Sequence, residues 1–283
     1  MPKILYPQYL PEDKQENIDF KKKYLIWVYI IISGFCCIGF SGCFTTEYNV
    51  ATHKQDIIFY STEKEIAMGK NINKIIHKEF GMSKNSRSLR RVNEIANKIV
   101  NIIDRKELNY YFYIIDLDKE ETSHVNAFSL PGGYIYFYNE LVELLTDDEL
   151  AFVIAHEVGH IVSRHQIKRL QATMGYNFLM IASIGAKSDD DFSSGLSFAL
   201  AQILTGYSQE DEFTADELAV KYCDLAGFDP LAGIAVIEKL YKEGKKKTHP
   251  ISYFRTHPYS SQRIRNIKEM LHLPLDATDY INF

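Results

Sequence analysis

The sequence predicts an α+β fold, mainly helical, with a small β-sheet or hairpin beside one central helix. Three observations lead there. A capped, apolar stretch ends in His156-Glu157-Val158-Gly159-His160, whose length and flanks read as a buried helix. Two stretches with helical periodicity precede it, and two aromatic, β-branched runs lie between, the second following a Pro-Gly-Gly turn. Helix, helix, short sheet, then more helices is an α+β order. The 283 residues, 46% hydrophobic and 24% charged, suffice for one sizeable core. With 32 Lys and Arg against 37 Asp and Glu, the net charge of -5 argues against a nucleic-acid binder. No repeat or low-complexity tract is present, which sets aside solenoids and disordered tails. A mean hydropathy of -0.20 leaves room for one membrane span and no more.

That span is expected at the front. Lys21-Lys22-Lys23 precedes an uncharged, apolar run from Tyr24 to Thr46. The run ends in Phe40-Ser41-Gly42-Cys43, with small residues just before a cysteine, which resembles a bacterial lipobox with Cys43 as the lipidated residue. A signal-anchor helix is the alternative, and the lipoprotein reading is preferred. Either places the remainder of the chain outside the cytoplasm on a tether, on the periplasmic side of a bacterial envelope. The expected organisation is a leader over 1–43, a linker over 44–60 and one folded domain over 61–283. Of the four cysteines, only Cys223 belongs to that domain, so neither an intradomain disulfide nor a cysteine zinc site can form there. Cys223 is expected to be a buried packing residue.

Within the domain, Ser61 or Thr62 caps a helix running toward His77, with Ile66, Ile72, Ile75 and Ile76 at helical spacing. Leu89, Val92, Ile95, Ala96, Ile99, Val100 and Ile103 form the apolar stripe of a second helix. Tyr110 to Ile115 and Tyr134 to Tyr138 read as strands, the latter after Pro131-Gly132-Gly133. Thr146-Asp147-Asp148-Glu149 is a capping box for the helix that carries the histidine pair.

Residues four apart on a helix share a face, so His156 and His160 can present two imidazoles to one metal, with Glu157 beside them to hold the attacking water. A carboxylate so placed can accept the proton of that water as it attacks an amide carbonyl. A third histidine in the extended pattern would need Gly at 163 and His at 166; Ser163 and Gln166 exclude that subclass. Glu212 and Asp216, again four apart, offer an alternative: Glu212 as ligand, Asp216 orienting a histidine through its second ring nitrogen. The plainer alternative is that both acids solvate an amphipathic helix, as Glu210, Asp211 and Glu217 would.

Several motifs in order, from about Ser61 to about Leu271, resemble the HtpX/Oma-like zinc metallopeptidases, metallopeptidase family forty-eight. They are N-A-F-x-x-P-G-G (Asn126 to Gly133), E-L-A-F-V-I-A-H-E-V-G-H (Glu149 to His160) and Arg164-His165. Y-S-x-E-x-E-x-x-A-D (Tyr207 to Asp216), A-G-F-D-P (Ala226 to Pro230) and T-H-P-x-x-x-x-R-I (Thr256 to Ile264) continue the series. The chain is most similar to the bacterial lipoprotein branch. The resemblance implies a gluzincin-type endopeptidase with one zinc on His156, His160 and Glu212, Glu157 as general base and Asp216 behind a ligand. It implies an edge strand near Asn126 that takes extended substrate, and a His257 near the metal that serves the chemistry or caps a resting site. Arg263 is implied as an oxyanion or structural partner. The implied partners are polypeptides, including misfolded envelope proteins.

His257 precedes Pro258 and so reads as a loop residue ahead of a helix from about Ser260. Thr248-His249-Pro250 with Arg255 repeats its spacing, but only His257 has Ile264 and the following helix in place. His165 lies five residues past His160, off the ligand face, and reads as bonding near the helix end. The run from Tyr176 to Ala186 is too short and interrupted to span a membrane and reads as a core or lid helix. Ser188 to Gly195 reads as a polar surface loop or flap. Lys242 and Lys245 to Lys247 read as a solvated turn, and Met174 and Met180 as core filler. Two functions stand against each other: a tethered zinc endopeptidase, and a latent, chaperone-like or binding module whose metal is capped by His257 or by the 188–195 loop.

Overall fold

The computed structural model describes residues 45–49, 52–58, 60–116, 125–172, 200–201, 205–246, 253–258 and 261–280. The leader with Cys43, the 176–186 and 188–195 segments, Met174, Met180, Lys247 and the Thr248-His249-Pro250 repeat lie outside them. Among the described residues, no helix is long and apolar enough to cross a membrane. The expected linker holds a two-stranded ribbon, β1 (Thr45–Asn49) and β2 (Lys54–Ile58). It is tied down by side chains: Asn49 donates to the Val162 carbonyl at 3.0 Å, and Asp56 pairs with Lys168 at 2.8 Å.

Helix α1 (Thr62–Glu79) starts at the Ser61 cap, with Glu63 and Glu65 in its positive first turn. It lies against the 3-10 turn Pro131–Gly133 so closely that a Cβ on Gly69 would come within 1.9 Å of the Pro131 carbonyl oxygen. The buried Glu65 carboxylate accepts from Arg105 Nη1 and Nη2 at 2.9 and 2.6 Å and from the Gly132 amide at 3.2 Å. Arg105 Nη1 also donates to the Ile161 carbonyl at 3.0 Å. One buried ion pair thus joins α1, the glycine turn and the end of the histidine-bearing helix.

Helix α2 (Ser86–Val100), capped by Asn85, buries Val92, Ile95, Ala96 and Ile99 as its stripe requires. The three-stranded sheet has the order β3-β5-β4, from β3 (Tyr111–Ile115), β4 (Ala127–Leu130) and β5 (Tyr134–Tyr138). β3 runs parallel to β5, and β4 antiparallel to it, with Ser129 opposite Ile135 and Leu130 opposite Tyr134. Successive strand residues face opposite sides. Phe128, Leu130, Tyr134 and Tyr136 therefore join Ile72 and Ile76 of α1 in one apolar cluster. Ala127, Ile135 and Phe137 join the larger cluster of the remaining helices.

Short α3 (Asn139–Leu144) leads to α4 (Asp147–Val162), whose capping box forms as its sequence requires: Glu149 N–H donates to Thr146 Oγ1, and Thr146 N–H to Glu149 Oε2. All of α4 from Glu149 onward is buried. α5 (Gln209–Ala226) crosses α4 where Gly159 meets Ala215; a Cβ on Gly159 would stand 3.1 Å from the Ala215 carbonyl. α6 (Ala232–Lys246), the single turn α7 (Tyr253–Thr256), α8 (Ser261–Met270) and a 3-10 turn (Ala277–Tyr280) follow. Cys223 is free and buried.

Candidate metal centre

The α4–α5 crossing sets the site. Each helix contributes two residues four apart, and the close approach at Gly159 turns those two faces toward each other. His156 and His160 from α4 meet Glu212 and Asp216 from α5, all buried. His257 joins them from the residue after α7, where its backbone N–H caps the turn on the Tyr253 carbonyl at 2.8 Å.

Four ligand-type atoms converge. His156 Nε2 lies 3.0 Å from His160 Nε2 and 3.5 Å from Glu212 Oε2, and His160 Nε2 lies 3.4 Å from Glu212 Oε1. His257 Nδ1 lies 3.2 Å from His156 Nε2 and 3.1 Å from Glu212 Oε1. Tetrahedral zinc with nitrogen and oxygen donors sets its ligands about 3.3 Å apart, so the spacing suits that ion. Charge agrees. Three carboxylates, Glu157, Glu212 and Asp216, face one guanidinium, Arg263, in a region closed to water. With the His257 imidazole also held in its charged form, negative charge is still in excess, which favours a bound cation.

A model of peptidase family M48 matches residues 86–271. The metalloprotease LoiP of Escherichia coli K12 is 31% identical over 200 residues, spanning 66% of this chain and 72% of that protein. The mitochondrial metalloendopeptidase OMA1 of Schizosaccharomyces pombe is 29% identical over 64% of this chain, which covers 52% of its length. The beta-barrel assembly-enhancing protease of Yersinia pestis is 26% identical over 62% of this chain, which covers 37% of it. The chain belongs to peptidase family M48. It is a zinc metalloendopeptidase, and the mainly helical α+β class and the family resemblance read from its sequence both hold.

Behind the donor set of this M48 chain lies a layer that orients it. Asp216 Oδ1 stands 2.9 Å from His156 Nδ1, and Arg263 donates to Asp216 through Nε and Nη2, each at 2.7 Å. Arg263 Nη1 also reaches Glu212 Oε2 at 2.7 Å. The geometry makes Arg263 a buried partner of two carboxylates. Asn126 Oδ1 accepts from the Ala127 amide at 3.0 Å and from Thr256 Oγ1 at 3.2 Å, which ties the start of the edge strand β4 to the His257 turn.

Electrostatics follow from burial and neighbours. Burial would raise the Glu157 carboxyl, but the His257 imidazole outweighs it and holds the group down at about 2. Burial would lower His257, yet the Glu212 and Glu157 carboxylates hold it up at about 10. His160 is pulled down to about 4, first by burial. Glu212 and Asp216 are both held below their ordinary values, against burial, chiefly by the charge of Arg263.

Three residues here escape a reading of the sequence for ligands. His165 does not join the donors and bonds near the helix end, but to a donor's outer nitrogen: its Nδ1 meets His160 Nδ1 at 2.8 Å, and its Nε2 faces Asp211 Oδ1 at 3.4 Å. Arg164 makes this possible by adopting a left-handed conformation (φ 56°), which breaks α4 and folds His165 back behind His160. Tyr207 stacks on His160 with ring centroids 3.7 Å apart. Ser129 donates to Glu157 Oε2 at 2.7 Å. The one sequence signal for Ser129 is strand alternation: Ala127 and Ser129, both small, fall on the face that receives α4.

Proposed function

We propose that His156, His160 and Glu212 hold one zinc ion and that Glu157 is the general base of an envelope-tethered endopeptidase. The observation that carries this is the convergence of buried donors from α4 and α5 with the Glu157 carboxylate on the same helix. When bound, zinc polarises the scissile carbonyl and lowers the pKa of a coordinated water. Glu157, ionised at neutral pH, accepts the proton of the attacking water and passes it to the departing amine. Asp216 and His165 hold the outer ring nitrogens of His156 and His160, which keeps the Nε2 lone pairs on the donor side. Strand β4, at the sheet edge beside α4, offers main-chain groups to an extended polypeptide.

The tether reading rests on Lys21-Lys22-Lys23, the apolar run and the Ser-Gly-Cys43 sequence. Envelope proteins that have misfolded or misassembled are the proposed substrates. The name of one relative, a beta-barrel assembly-enhancing protease, supports that direction. Purified protein is expected to cleave an unfolded substrate such as casein, to stop with chelator, and to resume with added zinc. Glu157→Gln is expected to lower turnover by about a hundredfold or more with bound zinc and folding unchanged. Wild-type turnover in that variant would sink the assignment. Palmitate labelling that survives Cys43→Ala would sink the lipid anchor.

The position of His257 favours a latent resting state. Its Nδ1 is a fourth donor, 3.2 Å from His156 Nε2 and 3.1 Å from Glu212 Oε1, and a fourth protein ligand closes the position that a catalytic zinc keeps open for water. His257→Ala is expected to raise basal cleavage with zinc retained. A fall instead would place His257 in the chemistry itself.

A further inference from the structure

Among the buried polar groups around the site, one chain of hydrogen bonds serves neither the zinc nor the helix ends. Gln166 Nε2 donates to Ser129 Oγ at 2.7 Å, and Ser129 Oγ donates to Glu157 Oε2 at 2.7 Å. The three residues come from three elements: the helical segment 165–172, strand β4 and helix α4. All are closed to solvent, at 1%, 0% and 0% exposure respectively, so water cannot substitute for any of them.

The proton order is forced. A serine hydroxyl has one hydrogen to give, and an ionised carboxylate only accepts. The Ser129 hydrogen must point at Glu157, so Ser129 can meet Gln166 only as an acceptor, which turns the amide nitrogen of Gln166 toward it. Each member then has its partner, and the hydroxyl-to-carboxylate link is of the short, charge-assisted kind.

The consequence falls on the two carboxylate oxygens. Oε2 is engaged by Ser129, whereas Oε1 turns the other way and pairs with His257 Nε2 at 3.0 Å, on the donor side of the site. We propose that Ser129, braced by Gln166, is a positioning residue for the general base: it pins Glu157 through one oxygen and so turns the other toward the donor side of the site. This rests on Glu157 being that base. The link also runs through the edge strand, because the period-two alternation of β4 that sends Phe128 and Leu130 toward α1 sends Ser129 toward α4. Edge strand β4 and the Glu157 carboxylate are thereby one hydrogen-bonded unit.

The test is a double-mutant cycle on the zinc-loaded protein, read with an internally quenched peptide and by thermal denaturation. Ser129→Ala is expected to lower kcat about ten- to a hundredfold, with KM within about twofold and one zinc per chain. Ser129→Thr, which keeps the hydroxyl, recovers most of that loss. In a Glu157→Gln background, Ser129→Ala is expected to change residual turnover little and to lower the melting midpoint less than it does beside the native carboxylate. Wild-type kcat in Ser129→Ala overturns the proposal, as do losses that simply add in the cycle. Full activity in Glu157→Gln alone overturns instead the reading on which it depends.

Discussion

Arg263 clasps Asp216 through two hydrogen bonds of 2.7 Å, from Nε and from Nη2, while its third nitrogen reaches Glu212 at the same distance. The guanidinium, fully buried, is thus the fixed counter-charge for one carboxylate of the proposed zinc set and one behind it. Burial opposes its charge, yet Asp216 and Glu212 raise its pKa further above an already high value. Removing one partner of such a pair leaves the other charge buried and uncompensated. Arg263→Ala is expected to cost about 3–5 kcal/mol of stability. Arg263→Lys should rescue little, because an ammonium cannot reproduce the planar fork. Chemical denaturation with metal analysis reads both. A lysine variant as stable as the wild type would show that charge alone suffices.

The contact between His165 and His160 predicts a defect in metal affinity. Nε2 of His160 is free for zinc only if its proton sits on Nδ1, and His165 Nδ1 at 2.8 Å is the acceptor that favours this tautomer. His165→Phe, of similar shape, is expected to weaken zinc binding about ten- to a hundredfold. Competition with a fluorescent chelator measures it; unchanged affinity would reduce His165 to a packing residue.

The Glu65–Arg105 pair predicts a defect in the platform. Arg105→Met leaves the buried Glu65 carboxylate with only the Gly132 amide, and a loss of about 3–5 kcal/mol is expected. Replacing both partners by apolar residues should cost less than the single change. Urea denaturation of the two single variants and the double variant decides. Additive losses would mean that the pair is not coupled.

Glu149 predicts an acid-dependent term. Burial would raise its pKa, but Lys239 and the Thr146 amide outweigh this and hold it below 4.5. A group whose folded pKa is depressed contributes stability above its unfolded pKa and loses it as pH falls through the folded one. The gap in melting midpoint between wild type and Glu149→Gln is therefore expected to be full at neutral pH and to shrink below pH 4.5. A constant gap would assign the effect to packing. Thr146→Ala, which removes the other half of the box, should cost about 1 kcal/mol at neutral pH.

Local chemistry made much of this protein legible before any fold was known. The capping box at Thr146, the core of the α2 stripe from Val92 to Ile99, the Pro-Gly-Gly turn and the histidine pair each rest on interactions within a few residues, and each forms. Helical spacing also put Glu212 and Asp216 on one face, though spacing alone could not choose between a ligand face and a solvated one. The crossing of α4 and α5 chose, because the missing side chain of Gly159 lets Ala215 approach and turns both pairs inward. Ribbon β1–β2 escaped notice since its strands are held by tertiary ties, among them Asn49 to Val162. His165 and Ser129 escaped for the same reason. A left-handed Arg164 reverses the chain behind His160, and a strand brings Ser129 to a carboxylate 28 positions away. Sequence by itself determined which residues could bind metal and move a proton. Tertiary structure decided which nitrogen and which oxygen each presents, because hydrogen bonds between elements far apart in the chain set those orientations.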